Sequence, residues 1–380
     1  MKIVIAPDSF KGSLTALQVG EAVAAGVKKV LPESEVVIKP MADGGEGTLQ
    51  CLVDATDGKL LQATVTNPLG QEIPASFGVL GDGVTCVIEM AAASGLYLID
   101  THERNPLLTT TYGFGELIRA GLDHGCRRFI LGLGGSATND GGAGMLQALG
   151  FGLFDRDGNP LAFGGGELEK LARIDTSQKD PRLDDCQFII ACDVTNPFVG
   201  PNGASHVFGP QKGATPELVR QLDANLHHFA DLIETNQGIS IHDLPGTGAA
   251  GGVAGALLAF LDGHLQSGIE IVLETTRLAQ ALEGADLVFT GEGQVDFQTA
   301  QGKTPCGVAR LAKQYDIPVI VLAGSVGTGI EALYHEGVTA VMGIANKPLS
   351  LEESMTRAAE LLEQTAEQVM RIYTIKGGLP

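Results

Sequence analysis

Apolar residues along this chain gather into short runs of four or five, most of them followed by a stretch of helical spacing. The runs cover 3–6, 36–39, 86–90, 129–133, 188–192, 287–291, 319–323 and 340–344. Continuous apolar runs of that length suit strands buried on both faces of a parallel sheet. Their alternation with helical patterns predicts βαβ units. After the first run, Val19, Val23, Val27 and Val30 keep helical spacing. Thr15 and Gln18 stand where a capping box would open that helix, with Ser13 as an alternative cap. Near the C-terminal end, Ser350 and Glu353 form a second box. They precede one stripe of Leu351, Met355, Ala358, Leu362, Ala366, Val369 and Tyr373.

Residues 59–91 break this rhythm. Three strand-like runs separated by Asn-Pro-Leu-Gly at 67–70 and Gly-Asp-Gly at 81–83 predict an antiparallel meander. The βα rhythm resumes near Leu287. The pattern therefore predicts an α/β chain of two domains, which suits a length of 380 residues. One domain, with a parallel sheet, is discontinuous and takes residues 1–66 and 286–380. The other, of mixed α/β type, is inserted as residues 67–285.

Composition sharpens the picture in three places. Glycine occurs 52 times, nearly twice the usual share of ~7%, and it is spread through folded-looking segments. That predicts tight turns and close approach of backbone to a ligand. Net charge is −20, from 25 basic and 45 acidic residues. Such a balance argues against nucleic acid and against an anionic membrane surface, while a small anionic substrate needs only a few convergent cations. The six cysteines, at 51, 86, 126, 186, 192 and 306, contain no Cys-x-x-Cys pair and fit no usual zinc spacing. Reduced thiols and the lack of a leader before the first strand give a cytoplasmic expectation. The longest apolar stretch, 251–263, is too short and glycine-rich to span a bilayer.

Candidate chemistry sits where apolar runs end. Loops rich in Gly, Asp, Ser, Thr and Asn carry Asp8, Asp43, Asp140, Asp193 and Asp296. In open α/β sheets the ligand crevice lies outside the carboxyl ends of the strands, so these loops are expected to line one. The Gly-Gly-Ser-Ala-Thr-Asn-Asp-Gly-Gly segment at 134–142 precedes a helical pattern, which predicts an anion site built from free backbone N–H groups. Its candidate phosphate residues are Gly134, Gly135, Ser136 and Asn139. The turn at 245–255, with Gly248 and Gly251, has the same character and a helix expected from about Ala249. Gly302-Lys303-Thr304 resembles the end of a P-loop, but Phe297 stands where its first glycine belongs. The first strand lacks the Gly-x-Gly-x-x-Gly of a dinucleotide fold, and no Gly-x-Ser-x-Gly or metal-type His spacing occurs. His227 and His228 fall in a helical stretch and are expected to be surface or core residues. Phosphoryl transfer needs acids to position Mg²⁺ and to accept a hydroxyl proton, and cations on the developing charge. Asp8, Asp43, Asp193 and Asp296 can supply the first two, and Lys11, Lys212 and Lys303 the third.

Read in order, 6–13 (APDSFKGS), 42–48 (ADGGEGT), 132–145 (GLGGSATNDGGAGM), 192–197 (CDVTNP), 208–214 (FGPQKGA), 246–252 (GTGAAGG), and the 290–299 and 302–309 segments resemble the type 1 glycerate kinase family over essentially the whole chain. The resemblance implies ATP- and Mg²⁺-dependent phosphorylation of D-glycerate, generally to 2-phosphoglycerate. It also implies a two-domain α/β fold with one discontinuous Rossmann-like domain. On that reading Asp193 is the expected base, while Asp43 and Asp296 contact magnesium or substrate hydroxyls. Lys11 is expected to neutralise the glycerate carboxylate or the transferred phosphoryl, with Asp8, Ser9 and Lys212 as further substrate contacts. A kinase for another small hydroxy acid, or a small-acid binding protein, would carry much of the same pattern.

Overall fold

The computed structural model describes residues 1–45 and 47–375. Glu46, within the 42–48 motif, lies outside the described residues, as does the chain beyond 375. The strands are β1 (Lys2–Ile5), β2 (Glu35–Ile38), β3 (Lys59–Thr66), β4 (Glu72–Val79), β5 (Thr85–Glu89), β6 (Arg128–Gly132) and β7 (Gly152–Phe154). They continue as β8 (Arg173–Asp175), β9 (Gln187–Ala191), β10 (His264–Gln266), β11 (Leu287–Val295), β12 (Val319–Val326) and β13 (Val338–Gly343).

The chain divides into two compact units, Met1–Thr56 with Gly268 onward, and Asp57–Ser267. These divisions fall about ten and eighteen residues earlier than the positions expected from sequence. Pairing decides the first: β3 runs antiparallel to β4 along its whole length, from Lys59 opposite Val79 to Thr66 opposite Glu72. Packing decides the second, because helix Gly268–Thr275 lies on helices Thr48–Ala55 and Thr304–Lys313 of the first unit. Hydrophobic runs announce a strand or helix but do not say which partner it will find.

The first unit holds a five-stranded, all-parallel sheet in the order β13-β12-β11-β1-β2. The chain leaves β1 toward β2 on one side and leaves β11 toward β12 on the other. The strand order therefore reverses between β1 and β11, the place where ligands bind in such sheets. Ile3, Ile5, Val19, Val23, Val27 and Phe289 form the core with Leu361, Leu362 and Ala366. Helix Ala16–Val30 opens on the expected capping box, with both Thr15 and Gln18 reciprocating. Ser13 does not cap it; its hydroxyl donates to the Met355 carbonyl at 2.6 Å. The C-terminal pattern resolves into two helices, Leu351–Thr356 and Ala358–Thr374, broken at Arg357. Ser350 Oγ accepts from the Glu353 N–H, but the Glu353 carboxylate pairs with Arg357 and Lys347 rather than closing a box. Leu351 is exposed, so the buried stripe begins at Ala358.

The second unit holds a six-stranded mixed sheet in the order β10-β9-β6-β5-β4-β3. The β3, β4 and β5 strands form the expected antiparallel meander, and β5, β6, β9 and β10 are parallel. β7 and β8 pair separately. The largely aliphatic core includes Phe77, Phe114, Phe198 and Phe229, all fully buried, and Phe129 stacked on Phe188 at 5.1 Å. No described helix is long and apolar enough to cross a membrane.

Candidate active site

A cavity of 620 Å³ opens in the first unit at the carboxyl ends of its strands. One wall is polar: Asp8, Ser9 and Lys11 after β1, Asp43 after β2, Glu292 from β11, and Lys303. The other is apolar, with Ile344, Leu349, Met355 and Leu361. Backbone bonding fixes the polar wall at the switch between β1 and β11. The Asp8 N–H donates to the Gly291 carbonyl at 2.8 Å, and Thr290 Oγ1 donates to the Ala6 carbonyl at 2.7 Å.

Asp8 is 7% exposed. Its Oδ1 accepts the Ser9 N–H at 2.6 Å and its Oδ2 accepts the Thr304 hydroxyl at 2.7 Å. Burial pushes its pKa up to about 6 against those hydrogen bonds, and the charge of Asp43 adds to the rise. Glu292, also buried, is pushed up to about 7 by burial, although the Thr299 hydroxyl donates to its Oε1 at 2.5 Å. Lys303 Nζ stands 3.9 Å from Oε2. Two carboxyls with raised proton affinities thus line the same cavity, the environment in which functional acids are found. Neither Glu292 nor Thr304 follows from the strand-end loop pattern that marks the other polar residues of this wall. An acid inside an otherwise apolar or small-residue strand was the available signal, because Glu is almost never fully buried without a partner.

Five expected site residues, Asp8, Ser9, Lys11, Asp43 and Lys303, line this cavity together. Asp296 does not line it. Its carboxylate accepts the Gln298 N–H at 2.9 Å and the Gln294 amide at 3.1 Å, which is the work of a turn-forming aspartate.

In the second unit, the 134–142 loop contains its own anion. Asp140 is fully buried and accepts four hydrogen bonds, from the Thr111 N–H and hydroxyl and from the N–H groups of Gly142 and Gly144. Thr111 Oγ1 in turn accepts the Met145 N–H. The first turn of helix Ala143–Ala148 is therefore satisfied from within, and the free helix N-terminus expected there is not free. Burial raises the Asp140 pKa despite those bonds. Asp140→Asn, which turns one acceptor into a donor facing N–H groups, is expected to cost about 2 kcal/mol of stability. Urea unfolding measures it; an unchanged midpoint would refute the assignment.

Lys212 lies beneath the same loop and is 2% exposed. Its ammonium donates to Ser136 Oγ at 2.9 Å and to the Thr138 carbonyl at 2.6 Å. Burial lowers its pKa to about 7, partly offset by the charge of Asp140. Lys212 is thus a support of the loop rather than an exposed substrate contact. Ser136 and Asn139 are buried as well, and Asn139 Nδ2 donates to Ser205 Oγ at 2.9 Å. Gly134 and Gly135 are the exposed part of the loop. Gly248 and Gly251 serve close packing: a Cβ at Gly248 would overlap the Pro197 carbonyl, and one at Gly251, where φ is +71°, would overlap the Thr138 carbonyl. The expected helix there begins at Val253, after a turn through Ala250 and Gly251 in left-handed conformation. Asp193 follows β9 in this unit and is exposed.

A family model described as the glycerate kinase family matches residues 3–374. The chain is 52% identical over 376 residues to a glycerate kinase of Haemophilus influenzae, covering 99% of this chain and 100% of that one. It is 50% identical over 375 residues to a glycerate 2-kinase of Escherichia coli, covering 99% and 98% respectively. A solved structure provisionally assigned as glycerate kinase 2, from Salmonella typhimurium LT2, is 48% identical and matches with a TM-score of 0.92 over 100% of both chains.

Proposed function

The chain belongs to the glycerate kinase family, and from that premise we propose that it transfers the γ-phosphoryl group of ATP to the 2-hydroxyl of D-glycerate. The observation that carries this reading is the cavity at the β1–β11 switch, where three carboxylates and two lysines converge. Phosphoryl transfer is catalysed mainly by positioning and by stabilising charge on the equatorial oxygens. Lys11 and Lys303 supply positive charge there. Glu292 is the base that takes the hydroxyl proton, because its pKa of about 7 balances basicity against the fraction ionised. Ser9 and Lys11 hold the glycerate carboxylate. In the second unit the exposed backbone of Gly134 and Gly135 is assigned to nucleotide phosphates.

The donor set fits Mg²⁺. Asp8 and Asp43 present hard carboxylate oxygens, and the charge of Asp43 raises the proton affinity of Asp8, a repulsion that a cation relieves. These two residues would hold the ion, which supplies positive charge to phosphate oxygens when bound. A cytoplasmic setting, with glycerate and ATP as small-molecule partners, is in keeping with six free cysteines.

The test is ADP release from Mg-ATP with and without D-glycerate, with the product identified by ³¹P and ¹H NMR. Glycerate-dependent ADP with 2-phosphoglycerate is the expected result. 3-Phosphoglycerate would overturn the regiochemistry alone. No ADP above background would overturn the kinase reading.

A further inference from the structure

Three side chains in the second unit meet away from the glycine-rich loops. His227 and Asp231 are four residues apart on helix Pro216–Gln237 and therefore share one face. His242 comes from the segment that follows the helix. Asp231 stands between the two imidazoles: its Oδ2 is 3.3 Å from His227 Nδ1, and its Oδ1 is 2.9 Å from His242 Nε2. One ligand atom from each residue lies within 4.8 Å of the others. Zinc bonds to nitrogen and oxygen of about 2.0–2.1 Å make tetrahedral edges of roughly 3.3–3.4 Å, so three donors within 4.8 Å of one another need only a small side-chain adjustment to converge on one ion.

The most buried ligand is also the best held. His242 Nδ1 pairs with Ser240 Oγ at 3.1 Å, the kind of outer hydrogen bond that fixes the ring of a metal-bound histidine. Its backbone carbonyl accepts the N–H groups of Phe198 and Val199. His227 and Asp231 are more than half exposed, which leaves the remaining coordination positions to water. Glu234 Oε2, 3.9 Å from His242 Nδ1, adds negative charge to the surroundings. We infer that His227, Asp231 and His242 form a binding site for a divalent transition-metal ion of the zinc class. Two imidazoles and one carboxylate select such ions over Mg²⁺, whose preferred donors are oxygens. A bound ion would tie helix Pro216–Gln237 to the 238–248 segment, which runs into the glycine turn packed on the 134–142 loop.

The experiment uses the full-length protein, stripped of metal and titrated with Zn²⁺ by calorimetry and with Co²⁺ by visible absorbance. One ion per chain is expected at this site, undiminished by millimolar Mg²⁺. Co²⁺ should give the intense d–d bands of low coordination number. His227→Ala and Asp231→Ala, both at exposed positions, are each expected to weaken binding at least about tenfold, since even outer-shell changes cost 10–100-fold. His264→Ala, an exposed histidine outside the cluster, should leave binding unchanged. Zn²⁺ should also raise the thermal midpoint of the wild type but not of His227→Ala. Absence of saturable binding, or affinity unaffected by both substitutions, would overturn the inference.

Discussion

Glu292→Gln is expected to lower kcat about 10³-fold with little change in KM for either substrate. The magnitude follows from the 10²–10⁴-fold worth of a positioned general base. The KM pattern follows because the proton is taken only as the transition state forms. Wild-type kcat/KM should rise with pH through about 7 as the Glu292 carboxyl ionises. The substitution keeps the acceptor for the Thr299 hydroxyl, so the fold has little reason to fail. Stability should move the other way from activity. The Glu292 carboxyl has a folded pKa of about 7 against an ordinary value of 4.5. It stays protonated in the folded chain over a range where the unfolded chain has already released its proton. The protein therefore loses stability as pH rises from 4.5 to 7, by about 3 kcal/mol. The glutamine variant escapes that loss. It should unfold at higher temperature than wild type at pH 8, with the gap closing below pH 4.5.

Asp193 is the rival base, and the same assay separates the two. Asp193→Asn should keep most of the wild-type kcat if Glu292 takes the proton. If Asp193→Asn loses kcat and Glu292→Gln retains it, the base is Asp193 and the cavity acids serve only the cation and the substrate.

Much of the frame was legible because it rests on local periodicity. The strand-like runs, the meander at 59–91 and the Thr15–Gln18 box depend on residues close in sequence. So did the position of Asp8, Ser9, Lys11 and Asp43 at strand ends, since every parallel strand delivers its following loop to the same edge. What the pattern did not carry depends on burial and on distant partners. Glu292 lies inside a strand, and only the sheet order shows that it borders the switch next to Asp8. Asp296 stands in the same motif as Glu292 and was the expected magnesium or substrate contact, but its carboxylate accepts from the neighbouring Gln298 and Gln294 in a local turn. Asp140 looked like part of a loop open to phosphate. Thr111, 29 residues away, completes its hydrogen bonding and fills the site from within. The boundaries near 66 and 285 slipped because a strand's partner, not its own hydrophobicity, decides which sheet it joins.

Lys212→Met is expected to lower kcat/KM at least about 100-fold, the cost that a misplacement of about 1 Å can impose on a reacting centre. The lysine donates to Ser136 Oγ and to the Thr138 carbonyl, so its removal leaves the underside of the 134–142 loop without its donor. It acts by positioning the loop, and a pH experiment distinguishes that buried ammonium from a solvated one. In the folded chain its pKa is about 7, against 10.5 ordinarily, because burial disfavours the charge. Between those values the unfolded chain binds a proton that the folded chain does not, so stability rises with pH. Over pH 7 to 9 the wild type should gain about 3 kcal/mol relative to the methionine variant, which has no group to titrate there. Parallel unfolding curves at the two pH values would mean that the ammonium is hydrated after all. The lysine would then return to the role the sequence suggested, a cation open to substrate. A wild-type gain of the expected size, together with the fall in kcat/KM, would mean that the buried Lys212 sheds its proton in the folded chain above about pH 7 and still serves to hold the loop in shape.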